Sequence, residues 1–85
     1  MAYRIIVKPS ARKEIERINK PDRLKIIDGI TSLSEEPRPS GCKKLVSFKS
    51  TYRIRVGDYR IIYTIMDSDL IIEVIKVAHR RESYR

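Results

Sequence analysis

Residues 52–63 read Tyr-Arg-Ile-Arg-Val-Gly-Asp-Tyr-Arg-Ile-Ile-Tyr, and this stretch constrains the fold more than any other part of the chain. Polar and apolar residues alternate on both sides of Gly57-Asp58, a pair suited to a two-residue type II′ turn. That turn sets Arg55 directly opposite Arg60, and Arg53 falls two residues along the same face. Directly opposed like charges destabilise a sheet. The hairpin therefore predicts an anion between the arginines, and phosphate is the obvious candidate.

The rest of the sequence predicts one α+β domain over residues 1–85, with the element order β-α-α-β-β-β. Pro9 and Pro21 each suit the first turn of a helix. The predicted elements are a strand at 3–7, helices from Pro9 to about Asn19 and from Pro21 to about Leu33, and strands at about 45–56, 59–66 and 70–78. The apolar stripe of the second helix would consist of Leu24, Ile27, Ile30 and Leu33, with Ile26 beside it. We expect both helices to pack on one face of a small, mainly antiparallel sheet.

The register of the last hairpin follows from the cost of burying a lysine. A two-residue loop would place Lys76 opposite Ile61 in the core, where an unpaired ammonium is costly. A three-residue loop, Asp67-Ser68-Asp69, instead pairs Ile61 with Ile75. This register puts Arg53, Arg55, Arg60, Lys76 and Arg80 on the face away from the helices, exposes Ile62, Ile72 and Val74 there, and turns Glu73 towards the helices.

Composition and charge narrow the class of protein. The chain is 41% hydrophobic, which argues against disorder, and its single cysteine, Cys42, can build neither a disulfide framework nor a cysteine-based metal site. Neither a membrane-spanning run nor a signal peptide is evident, so we expect a cytoplasmic protein. The formal net charge is +8, of which residues 37–85 carry +6, since they hold eleven basic and five acidic side chains. This distribution is typical of a protein that binds a polyanion.

The hairpin sequence, together with Val77-Ala78-His79-Arg80-Arg81-Glu82-Ser83-Tyr84 and the amino-terminal Val7-Lys8-Pro9-Ser10-Ala11, resembles the RelE toxins of the RelE/ParE superfamily. The resemblance covers essentially the whole chain. It implies a type II toxin that forms a hetero-oligomer with a cognate antitoxin, enters the ribosomal A site and cleaves mRNA, which inhibits translation. The implied chemistry needs no metal or other cofactor: the ribose 2′-hydroxyl attacks the adjacent phosphate and leaves a 2′,3′-cyclic phosphate.

The resemblance also implies roles for individual residues. Arg60 and Arg80 would clamp the phosphate, Arg55 would stabilise charge or the leaving group, and Tyr84 would stack on a base or orient the nucleophile. The implied catalytic residues are Arg53, Arg55, Arg60, Arg80 and Tyr84, and the implied RNA-binding residues are Lys49, Lys76, His79 and Arg81. Because arginine stays protonated, the general base is left open between His79, Lys49, Tyr84 and ribosomal RNA.

Two other functions remain open from the sequence. A ParE-like protein of the same fold would inhibit DNA gyrase by protein contact and cleave nothing. A non-catalytic RNA-binding module would suit the charge, but such sheets expose paired aromatic residues for base stacking, which the sequence does not predict here. The arginines and the tail tyrosine favour the nuclease, since a gyrase inhibitor has no need of a phosphate clamp.

Overall fold

Two helices lie against a five-stranded sheet, and this α+β architecture confirms the predicted fold. The computed structural model describes residues 2–81. The elements are β1 (Arg4–Val7), α1 (Pro9–Glu16), α2 (Lys20–Ser32), β2 (Lys43–Lys44), β3 (Thr51–Val56), β4 (Tyr59–Met66), a 3-10 turn (Asp67–Asp69) and β5 (Ile71–His79). The strand order is β1-β5-β4-β3-β2; β1 is parallel to β5, and all other neighbours are antiparallel. Within residues 2–81, no helix is long and apolar enough to cross a membrane.

The apolar stripe of α2 differs from the predicted one. Ile26, Ile30 and Leu33 are buried, whereas Leu24 and Ile27 are 55% and 45% exposed. Ile26, Ile30 and Leu33 follow the i, i+4, i+7 spacing of one helix face. Gly29 lies next to this stripe, and a Cβ atom added there would come within 2.9 Å of Val56 Cγ2 on β3. The helix therefore approaches the sheet more closely at Gly29 than a larger residue would permit.

The β3–β4 hairpin has the predicted register. Arg55 pairs with Arg60, Ile54 with Ile61 and Arg53 with Ile62. Gly57 has a φ of 58°, as the first central residue of a type II′ turn requires. The hairpin therefore places three arginines on the sheet face that points away from the helices, the open face.

The predicted register of the β4–β5 hairpin is wrong. Leu70 adopts the left-handed conformation with φ 54° and belongs to the loop, so Met66 pairs with Ile71 rather than with Leu70. A bulge on β5 then shifts the pairing by a further residue, and Ile61 pairs with Val77 instead of Ile75. A bulge of this kind inserts one extra residue into one strand of a pair.

This register changes which β5 side chains are buried. Ile72 and Val74 face the helices and are fully buried, although the sequence predicts them on the open face. Glu73 pairs with Thr64, which lies on the open face two residues along β4 from Ile62. Glu73 therefore also lies on the open face, contrary to the prediction. The placement of Leu70 in the loop explains the burial of Ile72 and Val74, and the bulge that follows lets Val77 reach the core as well.

The long strand predicted at 45–56 is divided in two. β2 contains only Lys43 and Lys44, the loop 45–50 follows, and β3 begins at Thr51. Ser50 ends this loop with a φ of 51°, which interrupts the extended backbone. The β2 pairing sets Lys43 beside Arg53 and Lys44 beside Tyr52. The short edge strand thus brings one further lysine to the open face.

Candidate active site

A cationic cleft opens on the face of the sheet away from the helices. It has a volume of about 260 Å³ and is lined by Gly41, Lys43, Arg53, Arg55 and Arg60. Three neighbouring strands supply the cations, since Lys43 on β2 pairs with Arg53 on β3, and Arg55 on β3 pairs with Arg60 on β4. Neighbouring strands lie about 4.8 Å apart, so these side chains converge on one small volume. These five residues form the arginine cleft.

The three arginines differ in their exposure. Arg60 is only 4% exposed, Arg53 is half-buried and Arg55 is exposed. The neighbour of Arg60 on β5 is Ala78, a small residue that leaves room for the guanidinium. Arg60 also interacts with other groups of the protein. A buried cation held by its surroundings is placed more firmly than an exposed one, so Arg60 forms the fixed floor of the cleft and Arg55 its open rim.

The cleft is suited to an oxyanion with several oxygens. A guanidinium presents its donors in a rigid planar fork that matches phosphate oxygens, and a lysine adds a compact positive charge. None of the residues that line the cleft is acidic. Arg55 and Arg60 oppose each other directly, which costs stability unless an anion lies between them. The arrangement can therefore bind a phosphate group and stabilise negative charge that develops on it.

Arg80 and Arg81 lie at the turn end of the sheet. The Arg80 backbone N–H donates to the Asp58 carbonyl oxygen at 2.7 Å, and Arg80 Nε lies 3.9 Å from Asp58 Oδ1. Arg81 donates its backbone N–H to His79 Nδ1 at 3.2 Å. Neither arginine lines the arginine cleft. Tyr84 lies outside the described residues, so its predicted role stays a prediction.

The other sites predicted for RNA contact are dispersed. Lys76 Nζ lies 3.5 Å from Glu14 Oε2 of α1. His79 faces the helices, where its ring meets Tyr59 edge-on with the ring centres 5.3 Å apart. Lys49 lies in the loop 45–50, near Met66 and at the opposite end of β4 from the Gly57-Asp58 turn. The structure thus brings Arg53, Arg55 and Arg60 together in the cleft. Lys49, Lys76 and His79 lie outside it.

Sequence reasoning missed Lys43 and Gly41. It placed the start of the second strand at Leu45, and a two-residue strand carries no alternation that could reveal it. The available signal was weak: two lysines follow the loop that ends in Gly41-Cys42. Within residues 2–81, no cluster of histidine, cysteine, aspartate or glutamate could hold a metal ion.

An apolar groove adjoins the arginine cleft on the open face. It has a volume of about 330 Å³ and is lined by Lys8, Leu45, Phe48, Thr51, Ile62, Ile75 and Lys76. Ile62 pairs with Arg53, so the two sites share a boundary on β3 and β4. Phe48 is 62% exposed, which is unusual for a phenylalanine. A partner that covered the groove would bury this ring.

The family model of the ParE toxin of the type II toxin–antitoxin system parDE matches residues 5–84. The chain belongs to this toxin family. Curated relatives that are similar to the chain carry RelE-type names, including toxins RelE and RelG of Mycobacterium tuberculosis. A RelE-like toxin protein of Escherichia coli is 29% identical, over 98% of this chain and 88% of the relative. The chain is accordingly a RelE-type toxin.

Solved RelE structures share the fold of this toxin over nearly its whole length. The RelE–RelB complex of Pyrococcus horikoshii matches with a TM-score of 0.84 and 28% identity, over 94% of this chain and 97% of that one. The intact RelBE toxin–antitoxin complex of E. coli matches with a TM-score of 0.81 and 25% identity, over 92% and 96% of the two chains. The two helices and the five-stranded sheet of this chain are therefore those of a RelE toxin.

Proposed function

We propose that this RelE-type toxin is an endoribonuclease that cleaves mRNA in the ribosomal A site and thereby inhibits translation. The observation that carries the proposal is the arginine cleft, in which three guanidiniums and one ammonium surround a space of about 260 Å³. Membership of the toxin family and similarity to RelE relatives support it. A toxin that acted only through protein contact would have no need of a cleft so concentrated in phosphate-binding groups.

The cleft suits an attack of the ribose 2′-hydroxyl on the adjacent phosphorus. A bond forms between the 2′-oxygen and phosphorus while the 2′-hydroxyl loses its proton. The bond to the 5′-oxygen breaks and this oxygen takes up a proton, so the products are a 2′,3′-cyclic phosphate and a 5′-hydroxyl. Arg53 and Arg60 bind the non-bridging oxygens, and Arg55 stabilises the charge that develops on the leaving oxygen. Donors fixed in advance at such positions are the largest catalytic term in many enzymes. The side chains supply the positive charge that a metal ion would otherwise provide.

We assign the removal of the 2′-hydroxyl proton to Lys43. Arginine stays protonated, so Arg53 and Arg55 are poor proton acceptors. His79 faces the helices, and Lys49 lies at the opposite end of β4 from the Gly57-Asp58 turn. Glu73 is on the open face, but it pairs four residues along β4 from Arg60, roughly 13 Å away. Lys43 is exposed and lines the cleft beside three arginines, and lysine is a residue type that can serve as a general base next to other cationic groups.

The cognate antitoxin is the partner we propose for the open face. The similar structures from P. horikoshii and E. coli are toxin–antitoxin complexes, which supports a hetero-oligomer here. A segment with apolar side chains would fill the apolar groove around Phe48 and Ile62. Carboxylates on the same segment would reach Arg53 in the adjoining cleft. Such a segment would inhibit the toxin, because it would occupy the phosphate site.

A reconstituted translation complex tests the proposed activity. The purified toxin is added to ribosomes stalled with a defined codon in the A site, and the mRNA fragments are examined for a 2′,3′-cyclic phosphate end. We expect cleavage within that codon when the mRNA is on the ribosome, and much less cleavage of the same mRNA without ribosomes. Intact mRNA, together with inhibition of gyrase supercoiling by the same preparation, would establish the ParE-like alternative that the name of the family model suggests.

A further inference from the structure

A polar cluster outside the arginine cleft joins four separate parts of the chain. Arg38, which follows α2, makes a forked ion pair with Asp67 of the 3-10 turn, with Nη2–Oδ2 at 2.9 Å and Nη1–Oδ1 at 3.4 Å. Tyr3 donates its hydroxyl hydrogen to Oδ1 of the same aspartate at 2.7 Å. Arg38 Nε donates to the Tyr52 hydroxyl oxygen at 3.2 Å, and the guanidinium lies 5.1 Å from the centre of that ring. These four residues form the Arg38 latch.

The latch is stronger than an ordinary ion pair on the surface. The side chains of Arg38 and Asp67 are 44% and 56% exposed, and a single pair with that exposure contributes little. Here one carboxylate accepts three hydrogen bonds, and the arginine binds it through a fork. Hydrogen bonds from Arg38 and then from Tyr3 lower the pKa of Asp67. The hydrogen bond to Asp67 raises the pKa of Tyr3 in turn. The cluster is thus matched to an ionised aspartate and a protonated tyrosine.

The latch holds a segment that crosses the edge of the sheet. Residues 37–44 begin on the helix side, where the buried Tyr63 donates its hydroxyl hydrogen to the Pro37 carbonyl oxygen at 2.7 Å. The segment ends on the open face, where Lys43 pairs with Arg53. The β2–β3 ladder that holds this end covers two residues on each strand. Because so short a ladder provides few hydrogen bonds, the contacts of Arg38 are an important further hold on the segment.

We propose that the Arg38 latch positions the wall of the arginine cleft, by holding residues 37–44 so that Gly41 and Lys43 stay at the cleft. Arg38, Asp67 and Tyr3 do not line the cleft, so they act through the segment as positioning residues. The inference rests on the proposed function in one respect, which is that the cleft binds a phosphate group.

Two variants of the same turn test this role. Asp67→Asn removes the carboxylate of the latch, and Asp69→Asn removes an exposed carboxylate two residues away. Each change makes the protein one unit more positive, so each strengthens the long-range attraction for an anion to a similar extent. The affinity for inorganic phosphate is measured on the full chain by titration. Asp69→Asn should bind phosphate at least as tightly as the parent, whereas Asp67→Asn should bind about threefold or more weakly, as expected for coupled groups.

Hydrogen exchange and a conservative variant separate positioning from general stability. The backbone amides of Lys43 and Lys44 should exchange faster in Asp67→Asn than in Asp69→Asn, and Asp67→Glu should restore part of the phosphate affinity. Equal phosphate affinity and equal exchange in the two asparagine variants would overturn the inference. If Asp67→Asn does not fold, Tyr3→Phe removes one hydroxyl and is compared with the parent by the same criteria. If the parent itself does not bind phosphate, the proposed function fails, and the exchange rates still decide whether the latch holds the segment.

Discussion

Phosphate should stabilise the folded toxin through the arginine cleft, and Arg55→Ala should remove most of this effect. Arg55 is exposed and faces Arg60 across the hairpin, so its truncation opens no cavity in the core. Without phosphate, the free energy of unfolding should change by no more than about 0.5 kcal/mol. Relief of the repulsion between the two arginines adds a small stabilising contribution to that change. The variant should therefore fold as well as the parent.

The size of the effect follows from binding linkage. Phosphate at ten times its dissociation constant stabilises the parent by about 1.4 kcal/mol, which corresponds to about 6–11 °C in Tm for a domain of this size. Loss of one hydrogen bond to a charged group costs about 1.5–3 kcal/mol, or at least tenfold in affinity. At the same phosphate concentration, the Tm of Arg55→Ala should then rise by about 3 °C or less.

Thermal unfolding followed by circular dichroism measures both quantities, with sodium chloride at matched ionic strength as the salt control. Lys25→Ala is the matched variant, because Lys25 is exposed on α2 and its loss changes the net charge equally. Its Tm should respond to phosphate as the parent does. An equal rise of Tm with phosphate in Arg55→Ala and in the parent would show that the anion binds elsewhere and not in the arginine cleft.

Three further predictions concern proton transfer, acid stability and the antitoxin. Lys43→Arg should keep phosphate affinity but lower the cleavage rate by about 10²-fold in single-turnover assays. The control is Lys44→Ala, which changes the neighbouring residue on the other side of the sheet and should cleave like the parent. The pKa of Asp67 is lowered in the folded state, so its contribution to stability is present above about pH 4 and is lost as the pH falls through the lowered value. The difference in unfolding free energy between the parent and Asp67→Asn should therefore shrink in acid. A difference that stays constant with pH would contradict this. Phe48→Ser should weaken antitoxin binding by about tenfold or more, while Val46→Ser, a fully exposed residue of the same loop, should not change it in calorimetry.

Local chemistry explains which elements of the fold could be predicted. The β3–β4 hairpin was predictable because Gly57 supplies the positive φ of the turn, and alternation on both sides fixes the register. The β4–β5 register was not, because Leu70 adopts a left-handed conformation that is rare for leucine, and a bulge follows. In α2, two overlapping stripes share Ile30 and Leu33, and periodicity alone does not decide which stripe faces the sheet.

The residues of the arginine cleft also differ in whether the sequence could predict their positions. Arg53, Arg55 and Arg60 lie on the predictable hairpin, so their convergence could be derived from the sequence. Lys43 reaches the cleft through a two-residue strand beyond a loop, and its position depends on tertiary contacts such as the Arg38 latch. Lys76 lies on the open face as expected, but it lines the apolar groove rather than the arginine cleft, and its ammonium lies beside Glu14 of α1. The sequence pattern therefore predicts which residues face each other across a tight hairpin, but it does not predict the position of a strand that follows a long loop.

Mapping the 5′ ends of cellular mRNA after tightly controlled expression tests directly whether the toxin cleaves mRNA through the arginine cleft. New 5′ ends should appear within translated codons soon after induction of the parent. Few such ends should appear for Arg55→Ala produced at the same level. New 5′ ends of equal abundance in both would contradict the phosphate role of the cleft. Growth arrest with unchanged mRNA and double-strand DNA breaks would contradict the nuclease activity itself.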